Sequence, residues 1–159
     1  VSFRAVQRWV SLLERFYAVF RVAPHGGPRI RAVKKAAKHY HLDWSVVPEP
    51  AARFENLVAC HLLKWVHQEQ DTRGRDLDLA YLRDVTGREA DFVITEGRKP
   101  VTIIECKLED APLDPSLRYF AARFPNTAAW QISARGKKDY QSPEGIRVAP
   151  CLKFLRDLT

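Results

Sequence analysis

Two segments rich in β-branched residues sit back to back in the middle of the chain, EADFVIT (89–95) and VTIIECK (101–107), joined by EGRKP. Val, Ile and Thr favour extended backbone, and two such runs around a short link with Gly and Pro read as an antiparallel hairpin. The hairpin is apolar enough to be buried, so the rest of the chain must supply layers that cover it. Yet Asp91 interrupts the first strand, and Glu105 and Lys107 interrupt the second. With Glu96 to Pro100 as the loop, Thr95 faces Val101, and counting back sets Asp91 opposite Glu105 and Glu89 opposite Lys107. Side chains alternate faces along a strand, and opposed Cβ atoms lie roughly 5 Å apart. This register predicts three acids and one lysine in one cluster on one face. A slip of one residue would dissolve it.

The flanking segments predict a mixed α/β layout with helices covering a sheet. SFRAVQRWVSLLERFYAVF has Val6, Trp9, Val10, Leu13, Phe16, Tyr17 and Phe20 at helical spacing, with Ser2 as N-cap. PHGGP (24–28) is a turn, followed by the basic then aromatic stretch IRAVKKAAKHYHLDWSV, and VVPEP breaks the chain. A second helix is expected from about Ala52 to His67, with Phe54, Leu57, Val58, His61, Leu62 and Trp65 as its apolar stripe. DTRGRD (71–76) reads as a loop and LDLAYLRD (77–84) as a strand. DPSLRYFAARF (114–124) reads as a helix with Asp114 near its start. AAWQIS (128–133) and IRVAP (146–150) read as strands, and CLKFLRDL (151–158) as a closing helix.

A chain of 159 residues suits one domain, or one domain with a small appendage, and buries about 70% of its unfolded surface without a metal or disulfide staple. Cys60, Cys106 and Cys151 are widely spaced with no CxxC pair, which argues against a disulfide framework or a zinc ribbon and fits a reducing, cytoplasmic setting. No run approaches the roughly 20 apolar residues of a membrane span, and VSFRAVQRWV is not a signal peptide. The chain starts at Val1 without a methionine and reads as a fragment or a cut protein. The net charge of +7 is uneven: residues 1–50 hold nine Lys/Arg against Glu14, Asp43 and Glu49. A basic first third suggests a polyanion-facing surface; a solvated face, or one that meets an acidic partner domain, is the plainer reading.

Two close carboxylates repel and are costly to desolvate, so something must offset them. A divalent cation does so directly. Mg²⁺ takes oxygen ligands, commonly one or two carboxylates with waters and a substrate phosphate, and there it polarises a phosphoryl oxygen and activates water. Lys107 would then orient that water or stabilise charge at the reacting phosphorus. The alternative is a buried ion pair of Asp91 or Glu105 with Lys107 that holds the strands in register.

The pattern D-x(13)-E-x-K on a hairpin resembles the PD-(D/E)XK, or restriction-endonuclease-like, superfamily. More closely, SFRAVQRWVSLLERFYAVFRVAPH, KKAAKHYHLDWSV, FENLVACHLL, GREADFVI, IIECKLED and VAPCLKFLRDL resemble the C-terminal domain of unknown function of bacterial and archaeal AAA-type ATPases. The resemblance implies a restriction-endonuclease-like mixed sheet flanked by helices over residues 34–159, preceded in residues 1–33 by the tail of a winged-helix or linker element. It implies Asp91 and Glu105 as carboxylates for Mg (or Mn), with the backbone carbonyl of Cys106 as a further ligand, and Lys107 as the catalytic lysine. Glu55 in FENL matches an acid on the helix before the sheet and counts with the catalytic residues, and Glu89 matches an acid two residues before the aspartate, an accessory that would complete the acidic site. Ala90 stands where the motif's name has Pro. No GxxxxGK[ST] occurs, so the ATPase itself is not in this chain.

Other residues carry two readings each. Glu55 also suits the positive end of a helix dipole, and His61 reads as a core histidine. Gln131 either reaches the acids or is a buried amide bonded to backbone. Lys34, Lys35 and Lys38 either contact phosphates or form a solvated face. The tryptophans read as core. Three functions follow as expectations: a Mg²⁺-dependent phosphodiesterase on DNA or, second, RNA; a silent nucleic-acid- or protein-binding module of the parent ATPase; and a winged-helix DNA-binding protein whose α/β part is structural. Oligomeric state stays open.

Overall fold

The computed structural model describes residues 1–26 and 37–158. In chain order the elements are α1 (Phe3–Arg15), β1 (Val19–Pro24), β2 (Lys38–His41), a single 3-10 turn (Trp44–Val46), α2 (Pro50–Arg73), β3 (Leu77–Arg83), β4 (Glu89–Glu96), β5 (Lys99–Lys107), α3 (Pro115–Arg123), β6 (Ala128–Ser133), β7 (Tyr140–Gln141), β8 (Arg147–Pro150) and α4 (Cys151–Asp157). The strands form one eight-stranded mixed sheet in the order β2-β1-β3-β4-β5-β6-β8-β7. β3, β4 and β5 make an antiparallel meander, and β6 joins β5 in parallel after the α3 crossover. The expected mixed α/β class with helices on a sheet is therefore present.

The helices start and stop where their ends can be satisfied. Glu49 caps α2 by accepting from the N–H groups of Ala51 and Ala52, with Pro50 in the first turn, and Gly74 ends it in the left-handed region at φ 64°. Asp114 caps α3 by accepting from Ser116 and Leu117. Two apolar clusters lie on opposite faces of the sheet. Val58, Leu62 and Val66 of α2 and Phe154 of α4 pack with Tyr81, Phe92, Ile94, Ile104 and Ile132. Leu117 and Phe120 of α3 pack with Leu82, Ala90, Val93 and Ile103.

Several local expectations are corrected. The first helix ends at Arg15; Tyr17 has φ 56°, and Val19 and Phe20 begin β1 instead of continuing the helix. β1 pairs in parallel with β3, so a strand from the 1–33 segment joins the sheet of the 34–159 body, while the expected boundary itself lies outside the described residues. Val6, Trp9, Leu12 and Leu13 of α1 are exposed, Trp9 at 54%, and so is Phe16 just past its end, at 78%. Trp44 is exposed as well, so these two tryptophans are not core. α2 runs on to Arg73, over the first three residues of the expected loop, and its buried face keeps Phe54, Val58 and Leu62 of the expected stripe but takes in Asn56 and Glu69 and leaves His61 out. Asn56 and Glu69 are buried, and His61 is exposed. The polar pair can be buried because both are bonded. Asn56 accepts from the N–H of His41 at 2.8 Å and donates to its carbonyl at 2.6 Å, and Glu69 meets Arg73 and Arg75. The edge strand β2 is thereby tied to α2. Asn56→Ala is expected to cost about 1–3 kcal/mol, since it takes the Asn56 partner from the His41 N–H and leaves the His41 carbonyl with the weak Cys60 thiol donor at 3.2 Å; urea denaturation measures it.

The hairpin has a tighter turn than expected. Glu96 pairs with Lys99 around Gly97 and Arg98, whose φ values of 52° and 66° define a two-residue turn matching the strand twist. Thr95 therefore faces Pro100, not Val101. A bulge at Val101 then adds one residue back, and from Ile94↔Thr102 onward the register is the expected one. Among the described residues, no helix is long and apolar enough to cross a membrane.

Candidate active site

The site begins where the hairpin comes apart. The β4–β5 ladder ends at Phe92↔Ile104, while β4 continues along β3 to Arg83↔Glu89 and β5 continues along β6 to Lys107↔Ser133. Asp91 and Glu105 stand one step past that last rung. The side chain of Asp91 takes over from the ladder: its Oδ2 accepts from the N–H of Cys106 at 2.9 Å.

A second bulge aims Asp91. Ala80 pairs with Val93 and Leu82 with Ala90, so Asp91 and Phe92 together oppose Tyr81 alone. Ala90 and Val93 belong to the α3-side cluster and Phe92 to the α2-side cluster. The extra residue turns Asp91 to the α2 side, toward Glu55. Glu105 and Lys107 alternate with Ile104 and stay on the α3 side with Ile103. The single-face cluster expected from strict alternation is thus split in two at the strand ends. Glu89 does not oppose Lys107; it pairs with Arg83 at 3.1 Å and Lys38 at 2.8 Å.

On the α2 side, the Lys38 ammonium lies 3.1 Å from Glu55, 2.8 Å from Glu89 and 3.5 Å from Asp91. The Tyr40 hydroxyl donates to the same Glu55 oxygen at 2.6 Å. Lys38, read from the sequence as a phosphate contact or part of a solvated face, thus has its charge among three carboxylates. Lys34 and Lys35 lie outside the described residues. On the α3 side, Lys107 donates to Glu105 Oε1 at 2.7 Å and to Asp114 Oδ2 at 2.8 Å. Asp114 was legible only as a helix cap. Gln131 does not enter the cluster. It follows the backbone alternative: its Oε1 accepts from the Asp114 N–H at 2.8 Å, and its Nε2 donates to the carbonyls of Ala111 and Pro112. It is a positioning residue for the loop that carries Asp114. A cleft of about 860 Å³ opens between β2, the 3-10 turn and the start of α2, and Lys38, Tyr40 and Glu55 lie in its wall.

The electrostatics set this site apart. Burial, then the charge of Glu55, pushes the Asp91 carboxyl up to about 6. Burial, then the charge of Asp91, pushes Glu105 up to about 7. Lys107 stays above the ordinary lysine range: burial opposes its charge, but the bonds to Asp114 and Glu105 outweigh burial. Asp114, though partly buried, is held low by Lys107. Five carboxylates (Glu55, Glu89, Asp91, Glu105, Asp114) face three cations (Lys38, Arg83, Lys107). The excess is two negative charges. Glu105 Oε2 is buried and has no hydrogen-bond partner.

These features test whether the residues suit Mg or Mn. A hard divalent ion takes one or two carboxylates with water. The raised carboxyls, the excess charge and the orphaned Oε2 all suit one at Asp91 and Glu105, with the Cys106 carbonyl beside them. Among the described residues, no three His, Cys, Asp or Glu side chains meet as a metal-holding group, so most of the coordination would come from water, backbone and substrate.

Fold and site together define an α/β domain with a paired-acid and lysine centre at a splayed hairpin. Residues 51–154 match the family described as a domain of unknown function, DUF4143, and the chain belongs to that family. No curated protein and no solved structure matches it. Glu55, Asp91, Glu105, Lys107, Asp114 and Gln131 fall inside the matched segment; Lys38 and Tyr40 precede it.

Proposed function

We propose that this chain is a restriction-endonuclease-like domain that hydrolyses phosphodiester bonds in DNA with Mg or Mn, and that it serves as the C-terminal part of an AAA-type ATPase. The observation that carries the reading is the Asp91–Glu105 pair at the parted strands, with Lys107 beside it and a buried Glu105 oxygen that no protein group satisfies. Asp91, Glu105 and the Cys106 carbonyl would hold the ion, which when bound supplies phosphoryl polarisation and a more acidic water. Lys107 is held protonated, so it acts as a donor and a cation. It orients the attacking water or stabilises charge on the phosphoryl oxygens, and it does not take the proton. Glu55 and Glu89 hold Lys38, and the charges of Glu55 and Lys38 act on Asp91. The basic first third of the chain suits a polyanionic substrate.

A second reading has its own support. Lys38 and Lys107 already pair with the acids, and no three side-chain ligands converge. In that reading the cluster is a set of ion pairs in a silent module that binds nucleic acid or protein for its ATPase. Incubation with supercoiled plasmid in Mg²⁺ or Mn²⁺ separates the two. The enzyme reading expects nicked circles that EDTA suppresses. Salt-dependent plasmid retention with every circle intact favours the silent module.

A further inference from the structure

The loop that follows β6 carries ARGKKD (134–139) and leaves the sheet beside the candidate site. β5 and β6 run parallel, and their last paired residues are Lys107 and Ser133. Ligands of open α/β sheets gather beyond such carboxyl ends. Backbone contacts hold the loop there. The Ala134 N–H donates to the Lys107 carbonyl and the Arg135 N–H to the Leu108 carbonyl, both at 3.0 Å. Asp110 then accepts from the N–H groups of Lys137 and Lys138 at 3.0 and 3.1 Å. Gly136 completes the fit, since a Cβ there would collide with Asp110 Oδ1 and Ser133 Oγ. Asp110 is three residues past Lys107, so the loop's anchor lies within about 11 Å of it.

The charges of this loop are not all spent inside the protein. Arg135 meets Glu109 at 3.4 Å, and Asp139 meets Arg147 and Lys153. Both Asp110 oxygens are taken by backbone N–H groups. Lys137 and Lys138 are exposed, and among the described residues their ammonium groups have no ion pair or hydrogen bond. The neighbouring acids carry an excess of two negative charges, which repels a polyanion unless cations stand close by. Lys38 cannot serve, because three carboxylates hold its charge. We infer that the 134–138 loop is the backbone grip of the site, with Lys137 and Lys138 on nucleic-acid phosphates that flank the one at Asp91 and Glu105. Such contacts fix the register of a duplex and carry no sequence information. That these phosphates flank a scissile one rests on the phosphodiesterase reading; the grip itself does not.

The test is fluorescence anisotropy of labelled DNA duplexes of unrelated sequence, in EDTA, over a series of NaCl concentrations. K137Q/K138Q is compared with wild type and with K64Q/K99Q, which removes the same net charge from α2 and the hairpin turn; circular dichroism checks the fold. K137Q/K138Q is expected to bind every duplex about 10- to 100-fold more weakly at low salt, and to lower the slope of log K against log salt by about 2. K64Q/K99Q should change both far less, and K137R/K138R should bind like wild type. A folded K137Q/K138Q that matches K64Q/K99Q in affinity and slope overturns the inference and leaves the phosphodiesterase reading to the plasmid assay. Wild type that retains no duplex at low salt overturns it too. Loop-dependent binding with every plasmid intact in Mg²⁺ sinks the phosphodiesterase reading and still supports the loop as the grip.

Discussion

Glu105→Gln is expected to make the metal-free chain more stable at pH 8 and to change little at pH 5. The Glu105 carboxyl is pushed up to about 7 from an ordinary value of 4.5. Its folded-state affinity for a proton exceeds its unfolded one, so between those values the folded chain holds the extra proton and stability falls as pH rises. Above about pH 7 both states are ionised and the whole cost is present. At about 1.4 kcal/mol per pKa unit, that is on the order of 3 kcal/mol at most, part of it shared with Asp91. Gln keeps the shape and cannot ionise. The side chain is 10% exposed, so solvent screens little of the effect. Urea denaturation in EDTA should show the variant ahead by about 2–3 kcal/mol at pH 8 and by less than about 1 kcal/mol at pH 5. Titration of His25, which burial holds below its ordinary value, affects both proteins alike and drops out of the difference. With saturating Mn²⁺ the order should reverse, because only wild type keeps the full ligand pair. A variant that is less stable at pH 8 in EDTA would mean that Glu105 acts as an ion-pair partner of Lys107 and no more.

Lys107→Ala is the second large effect. It should lower plasmid nicking about 10²- to 10³-fold, as loss of one preorganised donor to developing charge does, and it should leave Mn²⁺ binding in place. The split follows from the geometry. Lys107 bonds Glu105 Oε1 and Asp114, not the unsatisfied Oε2, and its removal takes a competing cation away from the metal side. Lys107→Arg should recover part of the rate, since it restores a cation there. Equal loss of metal binding and nicking would assign Lys107 to holding the strands. Unchanged nicking would remove it from the chemistry.

The two hairpin strands were legible because β-branched runs have few other uses, and their register as far as Phe92↔Ile104 was legible for a less obvious reason. The true turn is two residues shorter than the symmetric loop on one side, and the bulge at Val101 restores the count. What could not be read was the second bulge. Nothing in the string DFVI says that Asp91 and Phe92 share a face, and period-two reasoning set Glu89 and Lys107 opposite each other, which the parted strands prevent. Lys38 was hidden because KHYH is too short and too polar to read as a strand, and its role depends on an edge pairing held by Asn56. Asn56 in turn was invisible to a hydrophobic stripe that counted His61 as inside. Polar residues are buried where a partner waits, and the partner here is another element's backbone. Phe20 fitted a helical period, but the positive φ at Tyr17 ends that path before it.

We propose that Asp91 and Glu105 form a cation-holding pair at which phosphodiester chemistry takes place. Titrating Mn²⁺ into wild type and Asp91→Ala by calorimetry, with plasmid nicking on the same samples, tests it most directly. Wild type is expected to bind Mn²⁺ and nick, and Asp91→Ala to do neither while remaining folded. Wild type that takes up no Mn²⁺ and leaves plasmid intact would contradict it, and Asp91, Glu105 and Lys107 would then stand as an ion-paired scaffold.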